Sequence, residues 1–226
     1  MKPLMLGLAF AALATGALAA DNSLTRAEKK AGWTLLFDGK TTKGWRAFKQ
    51  SEIGPGWKVE NGILFPDPKV ARDIVTQGDY ANFELSFEWR ISKGGNSGVM
   101  FHVIPEGTQT YESGPEYQIL DNSRGEPPLE QAGGLFALVA PTMDMTRPVG
   151  EFNQARLIVD HGKVQHWLNG MEVARYEIGS PEFKALVAAS KFKRWPVFAT
   201  GQTGGIALQN HGDDVAFRNL KIRALK

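Results

Sequence analysis

Between Phe83 and Ile91 every second residue is large and apolar: Phe83, Leu85, Phe87, Trp89 and Ile91. Glu84, Ser86, Glu88 and Arg90 fill the places between them. A period of two fits an extended chain, whose successive side chains point to opposite faces, and it leaves one whole face to be buried. Such a strand needs neighbours along its edges and a second layer over its apolar face. Shorter stretches of strand character recur at residues 33–37, 56–60, 98–103, 116–120, 135–139, 153–160, 163–168, 171–177, 205–209 and 215–223. Turn formers separate them: Asn61-Gly62, Gly94-Gly95-Asn96, His161-Gly162, Asn169-Gly170 and His211-Gly212-Asp213. Asn169-Gly170, between two alternating runs, is a strong signal for a tight hairpin.

About ten strands at this spacing, with no long helix between them, predict an all-β protein built as an antiparallel sandwich or jelly roll. One or two short peripheral helices are expected. Residues 25–31 form the first. The second begins at Ser180, a capping residue followed by Pro181 and Glu182, and it repeats Phe183, Leu186 and Val187 at helical spacing. That apolar stripe places it across a sheet edge. The 25 glycines and 12 prolines suit a chain of many turns.

The chain has 226 residues, with 26 Lys and Arg against 24 Asp and Glu. A formal charge of +2 gives no ground for a nucleic-acid partner or an anionic membrane surface. The absence of cysteine excludes disulfides, thiol nucleophiles and thiolate zinc sites. Residues 1–19 read as a secretory leader: Lys2, then an apolar stretch rich in Leu and Ala, then Ala17-Leu18-Ala19 ahead of polar Asp21-Asn22-Ser23. The apolar run is too short to span a membrane. The expectation is an exported protein, periplasmic or extracellular, without a membrane anchor. Its single domain covers residues 20–226.

A series of short motifs carries a resemblance. Leu35-Leu36-Phe37-Asp38-Gly39-Lys40 with Gly44-Trp45 comes first, then Trp57-Lys58-Val59-Glu60-Asn61-Gly62 and Asp73-Ile74-Val75-Thr76. Asn96-Ser97-Gly98-Val99, Glu116-Tyr117-Gln118-Ile119-Leu120-Asp121 and Ser190-Lys191-Phe192 follow. The last are the stretch from Gly205 to Gly212 and Val215-Ala216-Phe217-Arg218-Asn219-Leu220. Taken in order, the set resembles the 3-keto-disaccharide hydrolase domain family. The resemblance implies a concanavalin-like jelly roll with carbohydrate on its concave sheet. One departure stands out: the family usually has Asp where this chain has Asn210.

Strand phase turns these motifs into chemistry. Glu116 and Gln118 share one face of their strand while Tyr117 and Ile119 take the other. Gln209 and His211 likewise share a face, with Ile206 and Leu208 inward. The loops at 105–115 and 121–134 are rich in Pro, Gly and Glu, as cleft rims often are. An ordinary glycosidase needs two carboxyl groups flanking the bond. Here only Glu116 is well placed, with Asp121, Glu130, Glu151 and Asp213 as less compelling partners.

A 3-keto sugar, the substrate the resemblance implies, changes that requirement. Its ketone acidifies the C2 proton, so one base can start elimination of the C1 group, and water addition completes net hydrolysis. Glu116 as base and His211 as acid or enolate donor fit this route, with Asn96, Gln118, Gln209 and Arg218 binding the oxidised di- or oligosaccharide or glucoside. Direct hydrolysis is the other route. A non-catalytic carbohydrate-binding module on the same sandwich is the alternative function. Metal and cofactor needs stay open: His102, His161 and His166 lack metal spacing, and Asp213-Asp214 suits either Ca²⁺ or a solvated turn.

Overall fold

The computed structural model describes residues 21–226, so the leader assigned to residues 1–19 lies outside the described part. In chain order the strands are β1 (Thr34–Leu35), β2 (Trp45–Ala47), β3 (Trp57–Glu60), β4 (Ile63–Pro66) and β5 (Ile74–Thr76). Then come β6 (Phe83–Ile91), β7 (Asn96–Val103), β8 (Glu116–Leu120), β9 (Asn153–Asp160) and β10 (Lys163–Leu168). The last three are β11 (Met171–Glu177), β12 (Gly205–Leu208) and β13 (Val215–Ala224). Two α-helices, α1 (Arg26–Lys30) and α2 (Pro181–Ala189), complete the set.

The strands form two antiparallel sheets. One has eight strands in the order β11-β10-β9-β6-β13-β4-β3, with β1 added beside β13. The other has five, in the order β2-β5-β12-β7-β8. The alternating face of β6 lies between them: Phe83, Leu85, Phe87, Trp89 and Ile91 are all buried. From the smaller sheet Val99, Phe101, Tyr117, Ile119, Ile206 and Leu208 meet them in a single core. This is the expected sandwich. Aromatic pairs bridge the layers, as where Phe87 meets Tyr117 edge-to-face at 5.5 Å.

The local signals act as their chemistry dictates. Asn169 and Gly170 both take positive φ, 48° and 88°, the twist that lets a two-residue turn join β10 to β11. Ser180 caps α2 by accepting from the Phe183 amide at 3.1 Å. Phe183 stacks on Tyr176 of β11, so α2 does sit over a sheet edge.

Residues 135–139 correct the expectation of a strand. Leu135 and Val139 bond to each other in both directions, at 2.9 and 3.0 Å, and Ala137 takes φ 58°. The run therefore closes on itself as a tight turn, and Leu135 and Leu138 fill a satellite core with Phe183, Phe192 and Phe198. Strands β2, β4 and β5, at three or four residues, are too short for their alternation to stand out in the sequence.

Candidate functional site

The outer face of the five-stranded sheet carries a pocket of about 440 Å³. Its floor is polar: Asn96 from β7, Glu116 and Gln118 from β8, and Gln209 and His211 just after β12. Five of the six residues expected at the site thus come together. Hydrogen-bond register explains it. Gly98 of β7 pairs with Gln118, and its carbonyl accepts from the Gln209 amide at 3.0 Å, so β8 and the end of β12 flank β7.

Gly98 has a specific part in this floor. A Cβ at position 98 would lie 2.1 Å from Glu116 Oε1 and 2.7 Å from its Cδ. The Glu116 carboxyl therefore occupies the space a side chain would fill.

Glu116 is only 6% exposed. Burial pushes its carboxyl up to about 8; nearby Lys191 pulls the other way, and Asp73 adds a smaller upward push. Asp73 is itself raised by burial, although Thr110 Oγ1 donates to it at 2.5 Å and the Asn210 amide at 3.0 Å. His211 is the exposed edge of that floor, its side chain 52% exposed and 4.0 Å from Asp213.

The wall comes from elsewhere in the chain: Tyr111, Phe136, Lys191, Phe192, Arg194 and Trp195. Ser190 caps the turn Lys191–Arg194, and buried Phe192 stacks on Phe198 at 4.0 Å, anchoring the segment. Lys191 then lays its ammonium over the Phe136 ring at 4.2 Å, facing Glu116 and Glu130, and partial burial lowers its affinity for a proton. Tyr111 meets Trp195 edge-to-face at 5.5 Å. Of the two loops expected at the rim, only the first contributes, through Tyr111. The second buttresses the floor, where Glu130 O accepts from Gln118 Nε2 at 3.1 Å.

Arg218 is the exception. It belongs to β13 of the other sheet, where it donates to Glu88 at 2.8 Å, pairs with Asp21 at 2.8 Å and covers the Phe152 ring. It holds the sandwich's far face together and does not line the pocket. Asp73, Lys191 and Trp195 were missed as site residues. Asp73 and Lys191 stand inside motifs of the resemblance, the one signal able to find them.

Asn210 also points away from the pocket. Its Nδ2 donates to Pro68 O and Ala71 O at 3.2 and 2.9 Å, bonds that a carboxylate cannot make. Among the described residues no group of three or more His, Cys, Asp or Glu is arranged to hold a metal. Larger hollows of about 720 and 510 Å³ lie elsewhere, lined largely by the eight-stranded sheet. In the larger, charged groups are paired off, Arg156 with Glu84 and Lys221 with Glu28.

A pocket with hydrogen-bonding amides below, aromatic rings beside and a buried titratable carboxyl at its centre defines a carbohydrate-active enzyme of the β-sandwich class. The family is now clear as well. The model of the 3-keto-alpha-glucoside-1,2-lyase-like domain matches residues 32–223, and the chain belongs to that family. It is 31% identical over 229 aligned positions to a 3-keto-disaccharide hydrolase of Bacteroides thetaiotaomicron, across 86% of this chain and 79% of that one. A crystal structure from Parabacteroides distasonis, described as a candidate glycosyl hydrolase, superposes with a TM-score of 0.85. It is 35% identical and covers 92% of this chain and all of its own. A second structure so described, from the same organism, has a TM-score of 0.67 and 24% identity over 85% of this chain and 99% of its own; it bears on the fold alone.

Proposed function

We propose that the protein is an exported enzyme that cleaves 3-keto disaccharides or 3-keto glucosides by elimination followed by hydration. The observation that carries this reading is the buried carboxyl of Glu116, the one carboxyl lining the pocket, placed over Gly98 and pushed up to about 8 by burial. A base of that strength suits removal of a proton made acidic by a neighbouring ketone.

Glu116 takes the C2 proton. The electron pair left behind passes into the C2–C3 bond and onto the C3 oxygen as an enolate, which then re-forms the ketone as the C1–O bond breaks. The departing oxygen takes a proton from His211 or from water entering at the mouth. Addition of water across the resulting enone gives free 3-keto sugar. Lys191 supplies the positive charge facing this chemistry and offsets the enolate's charge inside a partly desolvated pocket.

Turnover of a 3-keto glucoside compared with its unoxidised parent tests this directly: the parent should not react. The pH dependence has a defined sign. Glu116 is protonated below about 8, so kcat/KM should rise as pH rises through that value. Lys191→Met removes a charge that favours the carboxylate, so the rising limb should move to higher pH and the plateau should fall about tenfold or more. A falling limb near 8 in the parent enzyme would make Glu116 an acid and reject it as the base.

Export rests on the leader at residues 1–19. Amino-terminal sequencing of protein recovered outside the cytoplasm should begin near Ala20 or Asp21. An intact Met1 there would refute processing.

A further inference from the structure

We infer that Asp73 is a positioning residue of the site, a bracket whose two carboxylate oxygens hold the segment carrying Gln209 and His211 and the turn carrying Tyr111 in place around Glu116. This rests on the proposed role of Glu116 as base. Asp73 does not itself line the pocket, but it bonds to two segments that do.

The sheet ladder puts it there. Asp73 stands one residue before β5, and β5 pairs antiparallel with β12, Ile74 opposite Leu208. The chain leaving β12 therefore passes Asp73 as it runs through Gln209, Asn210 and His211. Asp73 Oδ1 accepts from the Asn210 amide at 3.0 Å. The Asn210 side chain grips the same loop, donating to Pro68 O and Ala71 O, and its Oδ1 accepts from the Gly212 amide at 3.2 Å. Asn210 lies between Gln209 and His211, so fixing its backbone fixes the origin of both side chains that reach the pocket.

The other oxygen serves the wall. Thr110 Oγ1 donates to Asp73 Oδ2 at 2.5 Å. Thr110 is fully buried and opens the turn Thr110–Glu112, whose Tyr111 lines the pocket against Trp195. The Asp73 carbonyl also accepts from the amide of Phe48, just after β2, at 3.0 Å. One residue thus joins three stretches far apart in the chain, two of them through bonds to a charged acceptor, which are the stronger kind.

A neutral acceptor could tie the same segments, and burial works against a charge here, raising the Asp73 carboxyl. The charge has a use in what it faces. His211 attracts it, and it in turn pushes Glu116 up. Lys191 pulls Glu116 the other way, while Glu130 and Arg194 act on Lys191. Asp73 and Lys191 therefore oppose each other at Glu116, and Asp73 keeps the carboxylate a strong base beside a cation. A stronger base removes a carbon-bound proton faster.

Asp73→Asn separates the charge from the bracket. Its oxygen still accepts from the Asn210 amide, and its amino group can donate to the Thr110 hydroxyl. The limb of kcat/KM assigned to Glu116 should move to lower pH, opposite to Lys191→Met, and the kcat plateau should fall about tenfold with KM held within about twofold. Tm near pH 8 should hold or rise, because a carboxyl raised by burial weakens the folded state at that pH and asparagine does not. Asp73→Ala removes the bracket as well: KM should rise about tenfold, and the Asn210 amide should exchange with solvent about tenfold faster than in Asp73→Asn. Carbon-13 titration of the Glu116 carboxyl reads its midpoint without turnover. A midpoint unmoved in Asp73→Asn would overturn the inference. So would a lowered midpoint joined to a lower Tm, which marks water entering a loosened floor. Equal KM and equal Asn210 exchange in the two variants would refute the bracket. A lowered midpoint and faster Asn210 exchange in a protein that does not turn over 3-keto glucosides would overturn the proposed reaction and keep the placement of Asp73.

Discussion

Glu116→Gln is expected to lower kcat by about 100-fold or more on a 3-keto glucoside while leaving substrate affinity nearly unchanged. The amide keeps the shape of the carboxyl and can still hydrogen-bond a sugar, but it has no basic oxygen for the C2 proton. A carbohydrate-binding module would show the opposite, a change confined to affinity or none at all. Unchanged kcat would remove Glu116 from the mechanism.

Stability supplies a second, independent readout. Burial raises the folded-state value of this carboxyl from 4.5 to about 8, so the folded protein resists its ionisation. As pH rises through that window the unfolded chain ionises freely and the folded one does not, and stability is lost. Glutamine does not titrate. Thermal melts should therefore coincide near pH 4 and separate progressively up to pH 9, with the variant the more stable. A group placed for catalysis at the expense of stability behaves this way.

Gly98→Ala is expected to reduce kcat by about 100-fold with the fold intact. No positive φ is recorded for Gly98, so alanine fits the strand backbone and even stiffens the unfolded chain slightly. The conflict is with one neighbour. The new Cβ would stand 2.1 Å from Glu116 Oε1 and 2.7 Å from its Cδ and Cγ, so the whole side chain beyond Cβ, carboxyl included, would have to swing aside. A base displaced by an ångström loses its alignment with the proton it removes. Coupling provides the decisive comparison. Because Gly98 acts through Glu116, the double variant Gly98→Ala/Glu116→Gln should be no slower than Glu116→Gln alone. Additive losses, or a collapse of Tm, would show that Gly98 serves the sheet and not the carboxyl.

Much of the floor was legible because strand phase is local. The alternation that sends Tyr117 and Ile119 into the core sends Glu116 and Gln118 to the other face, and the same holds around Gln209 and His211. The turn residues and the Ser180 cap were legible for the same reason: each acts on backbone within a few residues of itself. Which sheet a strand joins is a different matter, decided by partners distant in the chain. Arg218 was expected at the sugar site with Glu116, but β13 pairs with β6 in the other sheet, and that ladder sets Arg218 against Glu88 on the far face. Leu135 to Val139 had the composition of a strand, yet the nearest acceptor for Leu135 was Val139 itself. The wall of Tyr111, Phe136, Lys191 and Trp195 has no periodicity at all, since it comes from short turns brought together by packing around Phe192 and Phe198. The raised carboxyl and the place it takes over Gly98 exist only once water has been excluded and neighbouring strands lie side by side. Periodicity along the chain determined the sandwich and the face that looks out of it; non-local pairing and burial decided which groups meet on that face and what they can do to a proton.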